Sequence, residues 1–170
     1  MTDRLNQQQQ KQMERVLQGA LEQSAKSLGM MLGGEVRINL SRFGPVPNEV
    51  CVWLGLEGAL AGSVSLFLPE DMALAMVKRL SGGAELSLLD ETARSMLMEL
   101  GNVLASVFVA YYDQHRGLRT LPTPPGISLV PHPLPEGQNL FAAKLRWSGQ
   151  ETAADLLIGL DKSAVEILLG

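Results

Sequence analysis

The chain has 170 residues, 46% of them hydrophobic, enough for a single domain over residues 1–170 with a substantial core. Eighteen acidic residues against fourteen basic ones give a net charge of -4 and a pI near 5.2, with no basic stripe to follow a phosphate backbone, which argues against nucleic acid. No run reaches the roughly 18 uninterrupted apolar residues of a membrane span, and the opening MTDRLNQQQQKQ lacks the hydrophobic centre of a signal peptide, so a cytoplasmic protein is expected.

In chain order, apolar residues recur from Met13 through Val16, Leu17, Ala20, Leu21, Ala25, Leu28, Met31 and Leu32 and stop at Gly33-Gly34, which predicts a long amphipathic helix. Residues 1–10, with the low-complexity run Gln7 to Gln10, read either as a frayed helix start or as a flexible tail. Alternation at Val36, Ile38 and Leu40 predicts a strand, followed by a proline-containing break at Gly44 to Pro47. Two alternating runs, Val50 to Leu56 and Ala61 to Leu68, joined through Glu57-Gly58, predict a hairpin. Leu68-Pro69-Glu70-Asp71 then opens a short helix closed at Gly82-Gly83, with Pro69 near a tolerated helix start.

The same order follows again. A helix is predicted from about Leu88 to Gln114, then the prolines Pro122, Pro124 and Pro125, a short strand at Ile127 to Val130, a hairpin of Asn139 to Trp147 and Thr152 to Leu160, and a last helix opened by Leu160-Asp161-Lys162-Ser163-Ala164. The plan is an α/β (α+β) tandem repeat of two helix-strand-strand-strand-helix halves, about 11–83 and about 87–170. Neither half buries enough by itself, so one mostly antiparallel sheet covered by the two long helices is expected.

Few residues offer chemistry. Cys51 is the single cysteine and sits in an apolar alternating run, so it reads as a small buried hydrophobe with no partner for a disulfide or zinc site. His115 and His132 have neither a second histidine nor clustered carboxylates beside them and read as surface residues. Trp53 and Trp147 read as packing residues, the Met residues as gap-fillers, and Arg116 to Arg119 as a short charged stretch.

The second long helix is different. Between Met96 and Ala110 its only polar side chains are Glu99, Asn102 and Ser106, and with Ser95 they form a narrow stripe at about 100° per residue. A carboxylate among Met, Leu, Val and Phe must be paired, protonated or at the surface. Internal hydrogen bonding of a buried polar pair would account for it structurally. A metal site has too few ligands, and a carboxylate pair for glycoside chemistry lacks its second member. Positioning remains: a Glu can grip a partner's cation while an Asn, both donor and acceptor, orients a water without changing protonation.

Ser95-x3-Glu99-x2-Asn102, followed after 22 residues by Pro125, resembles the signature of the CheC/CheX/FliY family of chemotaxis response-regulator phosphatases, and the two-half plan is similar to that family's duplicated fold. The resemblance implies hydrolysis of the aspartyl phosphate of a CheY-like receiver domain in two-component signalling. Glu99 would contact the receiver's lysine and Asn102 would align the attacking water, while Ser95 and Pro125 would support the site. It implies no metal or cofactor of the chain's own, the Mg2+ belonging to the receiver. In the first half Glu22 is read as the equivalent of Glu99, but Ala25 stands where an Asn is needed and the strict spacing lands on Asn48 rather than on Pro45 or Pro47. One site per chain is therefore expected, as in CheX-like or single-site CheC-like members. The resemblance also implies a CheD-type deamidase and a second copy as partners, and a non-catalytic adaptor on the same fold as the alternative function.

Overall fold

The computed structural model describes residues 4–42, 50–129 and 134–170. Helix α1, Gln7–Leu32, begins where Asn6 and Gln9 form a reciprocal capping box: the Asn6 side chain accepts from the Gln9 N–H at 2.8 Å, and the Gln9 side chain from the Asn6 N–H at 3.1 Å. The glutamine run is thus the first turn of α1 and not a tail, because the cap satisfies N–H groups that would otherwise fray the helix. Gly33 closes the helix in the left-handed conformation, φ 68°.

Strands β1 (Val36–Ser41), β2 (Val50–Gly58) and β3 (Gly62–Leu68) lead to α2 (Glu70–Leu80), with Pro69 at its N-cap. Helix α3, Glu91–Arg116, starts and ends two or three residues later than its hydrophobic rhythm suggests. The next strand is split into β4 (Thr120–Pro122) and β5 (Gly126–Ser128), where a single strand is expected at Ile127 to Val130; Val130 lies outside the described residues. The split has a local cause. Pro124 and Pro125 cannot donate to a ladder, and Thr123 between the two pieces anchors itself to β2, its N–H donating to the Gly55 carbonyl and its hydroxyl accepting from the Gly55 N–H, both at 2.8 Å. Strands β6 (Asn139–Trp147) and β7 (Ala154–Leu160) and helix α4 (Lys162–Leu169) complete the chain.

One antiparallel sheet results, ordered β1-β6-β7-β3-β2-β4, with β5 also on β2. Its two central strands, β7 and β3, come one from each half, and each half's first strand lies on the other half's hairpin: β1 on β6, β4 and β5 on β2. Period-2 patterning sends Val52 and Leu54 of β2, Val64 and Leu66 of β3, and Leu156 and Ile158 of β7 into one core with the buried residues of all four helices. Cys51, Phe67 and Leu157 form a small cluster on the opposite face, with Trp53 and Ala142 against it. Burial pushes the Cys51 thiol up to about 12.

The long helices run antiparallel. The Ser24 hydroxyl of α1 is shared between the Ala20 carbonyl of its own helix at 3.0 Å and the Leu104 carbonyl of α3 at 3.2 Å, and the Tyr112 hydroxyl of α3 donates to the Val16 carbonyl of α1 at 2.9 Å. Among the described residues α3 is the one helix long and apolar enough to cross a membrane by length and composition, and its apolar side is packed into the core. The Arg116 guanidinium donates to the Leu168 and Ile167 carbonyls at 3.1 and 3.0 Å, satisfying the end of α4.

Candidate functional site on the outer face of α3

Helix α3 turns Ala93, Leu97, Leu100, Gly101, Leu104 and Ala105 inward. That periodicity leaves Ser95 and Glu99 exposed and Asn102 and Ser106 half-buried on the outer face. Neither the Glu99 carboxylate nor the Asn102 amide has a hydrogen-bond partner among the described residues. A buried pair closed by internal hydrogen bonds is therefore not what the fold contains. One helical turn apart, the two side chains leave the helix side by side, their Cβ atoms about 5–6 Å from each other. An acceptor-only carboxylate and an amide that both donates and accepts thus face outward with their bonding capacity unspent.

The seat of the helix is set by Gly101. A Cβ there would stand 2.6 Å from Val52 Cγ1 and 3.5 Å from Leu54 Cδ1, so α3 lies directly on β2 beside Asn102. Pro125 is half-buried one residue before β5, whose register pairs Gly126 with Trp53. At Gly126 a Cβ would collide with the Trp53 indole, so the segment carrying Pro125 is fixed at the sheet edge by close packing. Ser95 sits nearly two turns before Asn102 on the same helix face, exposed.

Helix α1 presents no such pair, and its register differs from the one read in the sequence. In burial, Met13, Leu17, Leu21 and Leu28 fall in step with Ala93, Leu97, Gly101 and Phe108. That rhythm sets Gly19 and Glu22, not Glu22 and Ala25, in the places of Glu99 and Asn102. Ala25 is 4% exposed and faces the core, because the helix interface and not sequence spacing decides which side is outward. Glu22 is exposed and accepts from Gln18 Nε2 at 3.2 Å. The Tyr111 ring of α3 lies over Gly19, where a Cβ would collide with its hydroxyl. Pro45, Pro47 and Asn48 lie outside the described residues, as does His132. His115 is exposed and stacks on Tyr111 with ring centroids 4.2 Å apart.

Gly101 carries no signal of chemistry and was missed as part of the site. Its signal is energetic: a glycine inside a strongly periodic helix costs about 1 kcal/mol relative to alanine, so a close neighbour is the reason to look for. No group of three or more His, Cys, Asp or Glu able to hold a metal ion occurs among the described residues.

A CheC-like α/β architecture, an antiparallel sheet with two long helices over one face, is the class defined by this fold. No family model matches the chain. It is 33% identical over 82 residues to the CheY-P phosphatase CheX of Thermotoga maritima, a match over 48% of this chain and 52% of that protein, so the aligned stretch spans about half the length of the curated relative. Among solved structures, Thermotoga maritima FliY superposes with a TM-score of 0.77 at 15% identity over 97% of this chain and 96% of that one. CheX from a Borrelia burgdorferi complex with CheY, BeF3 and Mg2+ superposes with a TM-score of 0.67 at 20% identity, covering 85% and 97%. The fold is that shared by CheX and FliY proteins, and the sequence likeness to CheX extends over about half of the chain.

Proposed function

We propose that this chain hydrolyses the aspartyl phosphate of a CheY-like receiver domain, with Glu99 and Asn102 as its catalytic pair and Ser95 and Pro125 in support. The observation that carries the reading is the outward, unpartnered carboxylate and amide one turn apart on a rigid helix. A water oxygen attacks phosphorus, the bond from phosphorus to the aspartyl oxygen breaks, and the products are the free carboxylate and inorganic phosphate. Little covalent work falls to the protein in such a transfer; orientation and charge stabilisation do most of it. Asn102 accepts from or donates to the attacking water and holds it in line with the leaving oxygen. Glu99 pairs with the receiver's lysine and fixes the helix against it. The receiver brings its own Mg2+, and the reaction belongs to the cytoplasm. The kinship with a CheY-P phosphatase and the CheX–CheY complex of a fold neighbour support this choice of partner.

The test is phosphate release from a phosphorylated CheY-like receiver at catalytic amounts of this chain. Asn102→Ala is expected to lower turnover by about 10²-fold while receiver binding persists, the order found when one preorganised polar group is removed. Binding of the receiver by the wild-type chain with no acceleration would identify a non-catalytic adaptor instead.

A further inference from the structure

We infer that Gly101 is the positioning residue of the site: its missing side chain seats α3 on β2 and thereby sets where Asn102 is held. This rests on the proposed reading of the site for its catalytic consequence, but the geometric claim stands on packing alone. Three observations carry it. First, the gap at Gly101 is closed by Val52 Cγ1, 2.6 Å from where a Cβ would be, so one added methyl group forces Val52, the helix or the strand to shift, and the β-branched Val52 side chain has few alternative rotamers to take. Second, Gly101 immediately precedes Asn102 in a helix whose inward side is buried from Ala93 to Tyr112, so displacement of one carries the other. Third, in the matching burial rhythm of α1 the place of Gly101 is taken by Leu21, fully buried. Only the helix that carries the Glu and Asn pair has the glycine.

The experiment compares wild type, Gly101→Ala, Val52→Ala and the double variant, with Ile158→Val as a core control on β7, two strands away from β2. For Gly101→Ala the turnover of phosphorylated receiver is expected to fall about 10-fold with its affinity for beryllofluoride-activated receiver nearly unchanged, as small misplacement of a reacting group does. Val52→Ala removes the obstructing Cγ atoms, so the double variant is expected to regain much of that turnover although Val52→Ala by itself removes buried apolar atoms. Ile158→Val is expected to keep wild-type turnover. Crystal structures of wild type and Gly101→Ala are expected to differ by about 0.5 Å or more in Asn102 relative to β2, the tolerance of a working site. An unmoved Asn102, or a double variant no better than Gly101→Ala, would overturn the assignment. Should wild type release no phosphate, the reading of the site as a phosphatase fails, and the crystallographic comparison still decides whether Gly101 places Asn102.

Discussion

The apolar run from Met96 to Ala110 spends free energy on Glu99 and Asn102 only where water or a partner solvates them, and both stand on the outer side of the helix. On the proposed mechanism the two have separable effects. Glu99→Ala is expected to weaken receiver binding, measured as a raised Kd, and to flatten the salt dependence of association, since an exposed charge acts through a screened field. Equal salt slopes for wild type and variant would remove Glu99 from the interface. A different residue-level effect concerns Cys51, 3% exposed, its thiol pushed up to about 12 by burial, with the Tyr112 hydroxyl raised for the same first reason. Between the ordinary thiol value and the folded one, the unfolded chain has released a proton that the folded chain keeps, so stability falls as pH rises. The urea midpoint is expected to be lower at about pH 10.5 than at about pH 8, and less so in Cys51→Ala. A flat profile in the wild type would refute this.

At the scale of elements, the pairing of α1 with α3 decides which faces remain free. Two cross-helix hydrogen bonds, from Ser24 to Leu104 and from Tyr112 to Val16, fix the rotation of each helix about its axis. That rotation buries Ala25 and exposes Glu99. Tyr112→Phe keeps the ring, 1% exposed and edge-on to Phe108 at 5.4 Å, and deletes only the bond to the Val16 carbonyl. Its expected cost is about 1 kcal/mol, a Tm lower by about 2–4 °C in a chain of this length. Calorimetry showing no change would mean that the hydroxyl's bond is replaced by water at no loss.

For the whole molecule, the exchange of first strands between the halves is the governing fact. With β1 on β6, and β4 and β5 on β2, each half completes the other's outer pairing, and the β3 and β7 contact joins them at the centre. We propose on this ground that residues 1–170 are one domain and fold as one unit. Trp53 and Trp147 report on opposite halves: in single-tryptophan variants their fluorescence transitions in urea are expected to coincide with each other and with the loss of helix signal. Separate midpoints would show two units. A fragment of residues 86–170 by itself is expected to stay unfolded, as it lacks the strands that cover β7 and β4.

Periodicity in the sequence determined the elements, their order and the duplicated plan, because the 3.6 and 2.0 residue rhythms are written by burial itself. The strand Asn139–Trp147 was legible to the residue, and the stripe of Ser95, Glu99, Asn102 and Ser106 on one helix face was legible from spacing alone. Local propensity could not decide the rest. Whether the stripe faced core or solvent depended on where α1 packed, since a polar pair satisfied within the fold has the same spacing as one presented to a partner. The split of β4 from β5 depended on Thr123 finding Gly55, 68 residues away. The correspondence of α1 with α3 depended on helix rotation, and spacing misplaced it by one turn. The seat of α3 at Gly101 depended on Val52, a neighbour made only by the tertiary fold. Contacts between residues distant in sequence arise from the mutual packing of finished elements, and no window of local sequence contains them.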